Sequence, residues 1–271
     1  MSLEPAIPAD VRLMEFSAAA LCVGFIALLL VWLAGWASNQ PVFALRAIVL
    51  GGDLAHNNAV TVRANVAPRL AGTFFTLDLA RARSVFEQLP WVRRAVVRRE
   101  FPNQLRVRLQ EHTAVAFWGA EGESSLVNSF GEVFEANVGE IDQDTLPRLR
   151  GPQGQAGRMW AMYQGLQSRF EAMGMTIEQL ELTHRGGWRV RLEGGAVIEL
   201  GTGTTAEVMD RTDRFLQTLT QVSSRYGRTV QALETADLRH KDGYAMRLAG
   251  VITLAPVGKD KQSDEGNRNG R

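Results

Sequence analysis

The side chains that could carry metal or nucleophilic chemistry are few and far apart in this sequence. The four histidines are His56, His112, His184 and His240, and none has a second metal-ligand residue at a recognisable spacing. Cys22 is the one cysteine, so neither an intramolecular disulfide nor a cysteine-based metal cluster can form. The motifs G-x-S-x-G, H-E-x-x-H and S-x-x-K do not occur. These patterns predict no metal site, no cofactor and no enzyme.

Two other stretches have residues of the kind found in anion-binding or catalytic sites. Residues 201–205, G-T-G-T-T, open a predicted helix and could hold an anion at its N-terminus, but they lack the lysine and the spacing of a phosphate-binding loop. Glu121 and Glu123 form an acidic pair in a predicted loop, without the apolar shielding that raises a carboxyl pKa into a catalytic range. We interpret the first as the start of a helix and the second as a solvated loop.

An arginine-rich strand pair is a marked charge feature. It contains Arg93, Arg94, Arg98, Arg99, Arg106 and Arg108. Three interpretations of these arginines are open: a solvated sheet face, a contact surface for an acidic protein or a membrane, and a nucleic-acid patch. The whole chain has 30 basic and 29 acidic residues, which argues against nucleic-acid binding by bulk charge. We favour the solvated face, and we expect no nucleic-acid partner and no small-molecule substrate.

Composition and the first 40 residues indicate an anchored globular chain. With 271 residues, 45% of them hydrophobic, it is not disordered, collagen-like or polytopic, and it has room for one or two domains. Residues 16–37 are uncharged, and a helix of this length spans about 33 Å, enough for the ~30 Å hydrocarbon core of a bilayer. Trp32 and Trp36 suit the membrane interface. Gly35 and Ala37 keep open the alternative of a cleaved signal peptide.

The flanks of this segment suggest its orientation. The tail at 1–15 has Arg12 as its one basic residue beside three acids, so the positive-inside signal is weak. A short tail before a large remainder fits a cytoplasmic tail at 1–15, a transmembrane helix at 16–37 and an exported part.

The exported part is predicted to be α+β, in two units. The first, residues 42–113, has the order β-α-α-β-β. Its predicted features are a strand at 42–52, helices capped by Asn57 or Asn58 and by Asp78, and strands around a turn at 101–103. Alternation of Leu105, Val107 and Leu109 with polar residues predicts a half-buried strand.

The second unit, residues 114–255, is expected to be a mixed domain with an antiparallel sheet. Apolar spacing predicts helices near 159–173 and 208–222. Strands are expected in a hairpin at 124–136 and at 188–192, 196–200, 230–238 and 244–254. Residues 147–157 are predicted to be a turn-rich linker, and 256–271 a disordered tail.

Four sequence strings resemble one family, in the order in which that family has them. They are P-W-V-R-R-A-V-V-R-R-E-F-P-N-Q-L from Pro90, V-N-S-F-G-E-V-F from Val127, L-P-R-L-R-G-P from Leu146 and A-D-L-R-H-K-D-G-Y-A from Ala236. Together with the apolar segment before them, they are similar to the bacterial FtsQ/DivIB family of cell-division proteins. The resemblance covers roughly residues 16–255. It implies a bitopic inner-membrane protein with a periplasmic polypeptide-transport-associated (POTRA) domain and a second, β domain.

The resemblance also implies a function and a binding edge. Members are scaffolds of the division septum and not enzymes, and the implied partners are FtsB and FtsL, with FtsK, FtsW and FtsI. FtsB would be held by β-augmentation, in which its segment pairs with the exposed last strand of the β domain. The candidate edge is 237–248. The expected partner-binding residues are Arg185, Asp237, Arg239, His240, Lys241, Gly243, Tyr244, Met246 and Leu248.

Individual positions differ in how they match the family pattern. His240 stands where the family commonly has tyrosine, and Tyr244 is expected to supply that aromatic contact. Arg185 matches a family arginine that pairs with an acidic partner residue, and a solvated hairpin residue is the alternative. Thr202 stands where well-known members carry arginine, so no contact is expected there. Arg239 is expected to brace the strand.

Three other functions are open from the sequence. A POTRA-type module in outer-membrane protein transport would need a following run of barrel strands. A membrane-anchored periplasmic hydrolase would need a nucleophile–base constellation. A periplasmic binding or sensor module would need a closed apolar pocket.

Overall fold

A computed structural model describes residues 9–141, 146–240 and 243–251. It begins with helix α1 (Ala9–Ser38), whose stretch Phe16–Ser38 is long and apolar enough to cross a bilayer and is not buried against protein. By its contacts the chain divides into two compact units. The first comprises Met1–Thr113 and Phe134–Asn137, and the second comprises Ala114–Val133 and Val138–Arg271.

The first unit is a three-stranded sheet packed against two helices. Its elements are β1 (Ala47–Gly52), α2 (Ala59–Val66), α3 (Leu79–Glu87), β2 (Val92–Glu100) and β3 (Gln104–Glu111). Strand β3 is central, parallel to β1 and antiparallel to β2. The predicted order β-α-α-β-β is confirmed.

Side-chain caps set the start of both helices. Asn58 Oδ1 accepts a hydrogen bond from Val60 N (2.9 Å), and Asp78 Oδ1 accepts one from Ala80 N (2.8 Å). Each cap satisfies a backbone N–H that the first turn of a helix leaves without a partner. The sequence prediction of Asp78 as a cap is confirmed, and Asn58 is the cap of the two asparagines considered.

One predicted boundary in this unit is wrong. The first strand begins at Ala47 and not at residue 42, because Pro41–Phe43 form a 3-10 turn. Helix α2 ends at Val66 and gives way to a second 3-10 turn, Ala67–Arg69. Both turns contain a proline, which lacks the N–H that a regular element needs.

The alternation predicted for β3 is present. Leu105, Val107 and Leu109 are buried in the core, where Phe86 of α3 is also fully buried. The polar residues between them face solvent. Five arginines of the basic strand pair are exposed: Arg94, Arg98, Arg99, Arg106 and Arg108. Arg106 forms a bidentate pair with Glu100, at 2.9 and 2.7 Å, as expected on a solvated face.

The second unit is built on a nine-stranded sheet, which also includes Phe134 and Glu135 from the stretch grouped with the first unit. Its strands are β4 (Ala114–Trp118), β5 (Ser125–Asn128), β6 (Val133–Glu135), β7 (Arg148–Arg150), β8 (Ile177–Leu182), β9 (Trp188–Leu192), β10 (Val197–Gly201), β11 (Leu233–Asp237) and β12 (Ala245–Leu248). Its helices are α4 (Ala156–Glu171) and α5 (Thr205–Arg225). The order is β12-β11-β10-β9-β8-β7-β4-β5-β6.

The predicted α+β fold is confirmed, and the sheet of the second unit is mixed and not wholly antiparallel. Strand β7 is parallel to both β4 and β8, and β10 is parallel to β11. The predicted linker at 147–157 contains β7, which joins two parts of the sheet. Strand β8 was not predicted. Helices α4 and α5 lie between strands that they connect, which allows those strands to be parallel.

The core of the second unit lies between the sheet and its two helices. Met159, Met162, Leu166 and Phe170 of α4 are buried there, so the methionine-containing stripe fills the core as the sequence predicts. Trp188 of β9 is fully buried in the same cluster. The predicted tail 256–271 and the end of the last predicted strand, after residue 251, lie outside the described residues.

Candidate partner-binding edge

Strand β12 lies at the rim of the nine-stranded sheet. It pairs antiparallel with β11, and within residues 9–141, 146–240 and 243–251 no second strand pairs with it. The edge predicted at 237–248 is therefore shorter in the structure. Asp237 is not an edge residue, because it belongs to β11 and pairs with Glu199 on one side and Ala245 on the other.

The free side of β12 presents the backbone of alternate residues. Ala249 N donates to Ala232 O (2.7 Å), so the backbone of Ala249 faces the sheet. Inward-bonding and outward-facing residues alternate along an antiparallel strand, and Ala245 and Arg247 therefore also face inward. Within β12 the residues whose backbone groups face outward are Met246 and Leu248, and Tyr244, just before the strand, continues the same alternation.

Met246 offers both its backbone N–H and its C=O to a partner strand on this rim. Leu248 O already accepts from Val251 N (3.1 Å). Met246 lies at the centre of the outward-facing set. A rim of this kind carries N–H and C=O groups that can template another strand.

The side chains of the same three residues turn toward the core. Leu248 is buried, so a partner strand would meet its backbone and not its side chain. Met246 and Tyr244 are half-buried against the core. The Tyr244 hydroxyl lies 2.7 Å from Thr218 Oγ1, and its ring meets Phe215 edge-on at 5.0 Å. Tyr244 thus packs against α5, and its expected aromatic contact with a partner stays a prediction.

Asp237 and Arg239 form a hydrogen-bonded ion pair beside the rim. Arg239 donates from Nε to Asp237 Oδ1 (2.9 Å) and from Nη2 to Oδ2 (2.6 Å), and its backbone N donates to Oδ1 (3.0 Å). These hydrogen bonds, helped by the positive charge of Arg239 and by His240, lower the pKa of Asp237 to about 2. This geometry fits a bracing role for Arg239.

Strand register places Arg185 at the same end of the sheet. Arg185 is exposed in the turn between β8 and β9. Trp188, which opens β9, pairs with Gly201 of β10, and Glu199 of β10 pairs with Asp237 of β11. Three strand spacings, about 14 Å in all, separate β9 from β12. A partner paired on β12 would have to reach that far to contact Arg185.

The other predicted residues lie between β11 and β12. His240 and Gly243 are exposed there, and Lys241 lies outside the described residues. An ion pair that the sequence did not suggest flanks the rim: Arg247 Nε lies 2.8 Å from Glu234 Oε2. These two residues are far apart in sequence, and only strand pairing brings them together.

The acidic pair noted in the sequence lines a polar cavity elsewhere in the second unit. Glu121 and Glu123 lie around a volume of about 420 Å³ together with Arg148, Arg150 and Arg191. Among the described residues, no group of three or more histidine, cysteine, aspartate or glutamate side chains is placed to hold a metal ion.

Comparison with known proteins assigns both units. Residues 43–112 match the model of the POTRA domain, FtsQ-type, and residues 116–239 match the model of the cell division protein FtsQ/DivIB, C-terminal. The chain belongs to the FtsQ/DivIB family. The resemblance noted in the sequence is therefore confirmed.

Relatives in this family match along nearly the whole chain. Cell division protein FtsQ of Burkholderia pseudomallei (strain K96243) is 41% identical over 258 residues, covering 93% of this chain and 99% of the relative. Cell division protein FtsQ of Thiomonas arsenitoxydans is 40% identical over 248 residues, covering 90% of each. That of Bordetella pertussis is 37% identical over 258 residues, covering 89% of this chain and 92% of the relative.

Family membership fits the architecture. The family is one of cell division scaffolds and is not known for catalysis, and the N-terminal apolar helix is consistent with a single-pass membrane protein. Arg185, Asp237 and Arg239 lie inside the matched C-terminal region. The rim strand β12 follows the end of that region.

Proposed function

We propose that this chain is a scaffold of the divisome, linking early division proteins such as FtsK to FtsB–FtsL and to the septal peptidoglycan synthesis proteins FtsW and FtsI. The rim of β12, in a chain of a cell division family, carries this proposal. In it, α1 spans the inner membrane with residues 1–15 in the cytoplasm, and both units lie in the periplasm at the septum. The scaffold holds partners and performs no reaction.

The proposed binding mode is strand addition to β12. A segment of FtsB pairs with the outward backbone of Tyr244, Met246 and Leu248 and adds a strand to the sheet. Each backbone hydrogen bond contributes about 0.5–1.5 kcal/mol net. Exposed Arg185 would add an ion pair with an acidic partner residue, worth about 0–1 kcal/mol where the pair stays exposed.

Depletion of the protein tests the cellular role. Smooth, undivided filaments with segregated nucleoids are expected, because septal synthesis would lack its link to the early proteins. Cells of normal length with altered levels of outer-membrane proteins would refute this role and favour the transport alternative.

Cysteine cross-linking tests strand addition. In a Cys22→Ala background, Ala245→Cys places a thiol on the exposed face of the rim strand. Paired with a cysteine scan of the FtsB segment, it is expected to form a disulfide at the one FtsB position directly opposite. The two neighbouring FtsB positions should not react, because side chains alternate between the two faces of a strand. Thr235→Cys is the matched control. It is exposed on β11, one strand further in, beyond the Cβ separation of about 4 Å that a disulfide requires. Equally strong cross-linking at neighbouring FtsB positions, or equally strong cross-linking from Thr235→Cys, would contradict strand addition.

A further inference from the structure

Four phenylalanines from separate stretches of the first unit meet at one end of its sheet. The phenylalanine cluster consists of Phe43, Phe74, Phe75 and Phe101. The ring centroids are 4.9 Å apart for Phe43 and Phe75, 5.2 Å for Phe74 and Phe75, and 6.2 Å for Phe74 and Phe101, all edge-to-face. Phe75 is 50% exposed and Phe101 is 76% exposed. Contiguous exposed aromatic surface of this kind marks an interaction site.

The cluster is held beside the end of α1. Thr73 Oγ1 donates to Ser38 O, the last residue of α1, at 2.7 Å. Phe74 N donates to Phe43 O, also at 2.7 Å. Phe43 follows Ser38 so closely that even an extended chain would carry it no more than about 17 Å away. The cluster therefore lies next to the point at which the helix ends.

The length of α1 sets the depth of that point. The apolar stretch Phe16–Ser38 has 23 residues and is about 34 Å long. A bilayer has a hydrocarbon core of ~30 Å and a headgroup layer of roughly 5–7 Å on each side. Ser38 thus falls at the boundary of the core, and groups bonded to it fall in the headgroup layer. Trp32 and Trp36 are exposed near the end of the helix, where aromatic rings favour the interface.

We propose that the phenylalanine cluster docks the first unit on the lipid surface of the bilayer that α1 spans. The occupant is lipid because the cluster is continuous with the membrane anchor, lies at headgroup depth and presents aromatic rings. Exposed Arg46 borders the cluster, since its backbone N donates to Asn103 O (3.0 Å), and it supplies a cation for lipid phosphate. This inference rests on the membrane anchoring within the proposed function. Docking would seat the first unit on the membrane and limit its rotation about α1.

Spin-label accessibility in vesicles tests the docking. The full chain, with Cys22→Ala, is reconstituted in phosphatidylcholine–phosphatidylglycerol vesicles and labelled at Arg46→Cys. The label is expected to collide more with lipid-soluble oxygen than with a water-soluble nickel complex. Val60→Cys is the matched control, because Val60 is also exposed in the first unit. It lies beside Asn57, which bonds Glu111 at the far end of β3, about 23 Å along the strand from Gln104. A water-like signal is expected there.

Aspartate substitutions complete the test. The pair Phe75→Asp and Phe101→Asp should abolish the lipid-phase signal at position 46, whereas Val60→Asp should leave it unchanged. A water-like signal at position 46 with the cluster intact overturns the proposal and would point to a protein occupant. An unchanged signal in the aspartate pair also overturns it. A label on native Cys22 tests the anchor separately: a water-like signal there refutes membrane anchoring, whereas a lipid-like signal at Cys22 with a water-like signal at position 46 refutes docking alone.

Discussion

Proline substitutions in β12 should separate partner binding from the stability of the sheet. The backbone of Met246 faces outward, so Met246→Pro removes an N–H that the pairing with β11 does not use. Proline is tolerated on edge strands in this position. The backbone of Arg247 faces β11, so Arg247→Pro removes a ladder hydrogen bond instead. The two neighbouring substitutions should therefore have opposite main effects.

The size of the binding effect follows from the hydrogen bonds at the rim. Met246→Pro deletes one bond to the partner, worth about 0.5–1.5 kcal/mol net, and leaves a partner carbonyl unsatisfied, at a cost of about 1–3 kcal/mol. The expected loss is about 1.5–4.5 kcal/mol. At 1.4 kcal/mol per factor of ten, the Kd should rise roughly 10- to 1,600-fold. Arg247→Pro should lower the free energy of unfolding by about 1–3 kcal/mol.

The assay uses the full chain in lipid nanodiscs and the soluble part of FtsB–FtsL. Titration calorimetry gives the Kd, and urea unfolding gives the stability of each variant. Met246→Ala is the control for loss of the half-buried side chain, and its Kd should stay within a few-fold of that of the unmodified chain. If Met246→Pro binds as well as Met246→Ala, the rim is not the binding edge. If it unfolds as readily as Arg247→Pro, the assignment of inward and outward backbone groups is wrong.

Three further predictions concern stability and side-chain roles. Tyr244→Phe loses the hydroxyl contact with Thr218 and should lower the free energy of unfolding by about 1 kcal/mol. Tyr244→Ala should also weaken FtsB–FtsL binding in calorimetry, and an unchanged affinity would refute the role of Tyr244 as a partner contact. The buried carboxylate of Glu111 accepts hydrogen bonds from the backbone and side chains of His56 and Asn57 at 2.8–3.2 Å. Burial alone would raise the pKa of Glu111, but these hydrogen bonds outweigh it and lower the pKa. The stabilisation by ionised Glu111 is therefore present above the unfolded pKa of about 4.5 and is lost as the pH falls through the folded pKa. Glu111→Gln should lower the free energy of unfolding of the first unit by about 2–4 kcal/mol at neutral pH. The free energy from urea unfolding should also fall less steeply at acidic pH in this variant than in the unmodified chain, and equally steep curves would contradict this. Asp78→Ala should remove the cap of α3 and lower the melting temperature through a loss of about 1 kcal/mol. A change no larger than that of Ser84→Ala, at an exposed position in the middle of α3, would contradict it.

Local patterns in the chain were sufficient for much of the first unit. The uncharged run at 16–37, the cap at Asp78 and the alternation around Val107 each depend on residues within one element. Such signals act over a few residues, because capping and amphipathic spacing need no distant partner. The order β-α-α-β-β and the arginine-rich solvated face follow from them.

The second unit shows where such patterns are insufficient. Strand β7 is three residues long and lies among glycine and proline, so it resembles a turn in sequence. It is a strand because β4 and β8 supply hydrogen-bond partners on both sides, and both partner strands are distant in sequence. Two of the parallel pairings, β7 with β8 and β10 with β11, have a similar origin, since a crossover helix and not a local turn connects those strands.

The candidate binding edge was also predicted only in part from the sequence. Its approximate place, 237–248, came from strings that resemble a family, and those strings show that a strand is present but not which side of it is free. Long-range pairing decided that Asp237 lies inside the sheet, that Leu248 points into the core and that Met246 turns its backbone outward. The phenylalanine cluster also exists only in three dimensions, because Phe43 and Phe101 meet the adjacent Phe74 and Phe75 through the packing of separate segments. Residue type and spacing specify elements, whereas the exposure of an edge or a surface depends on what packs beside it.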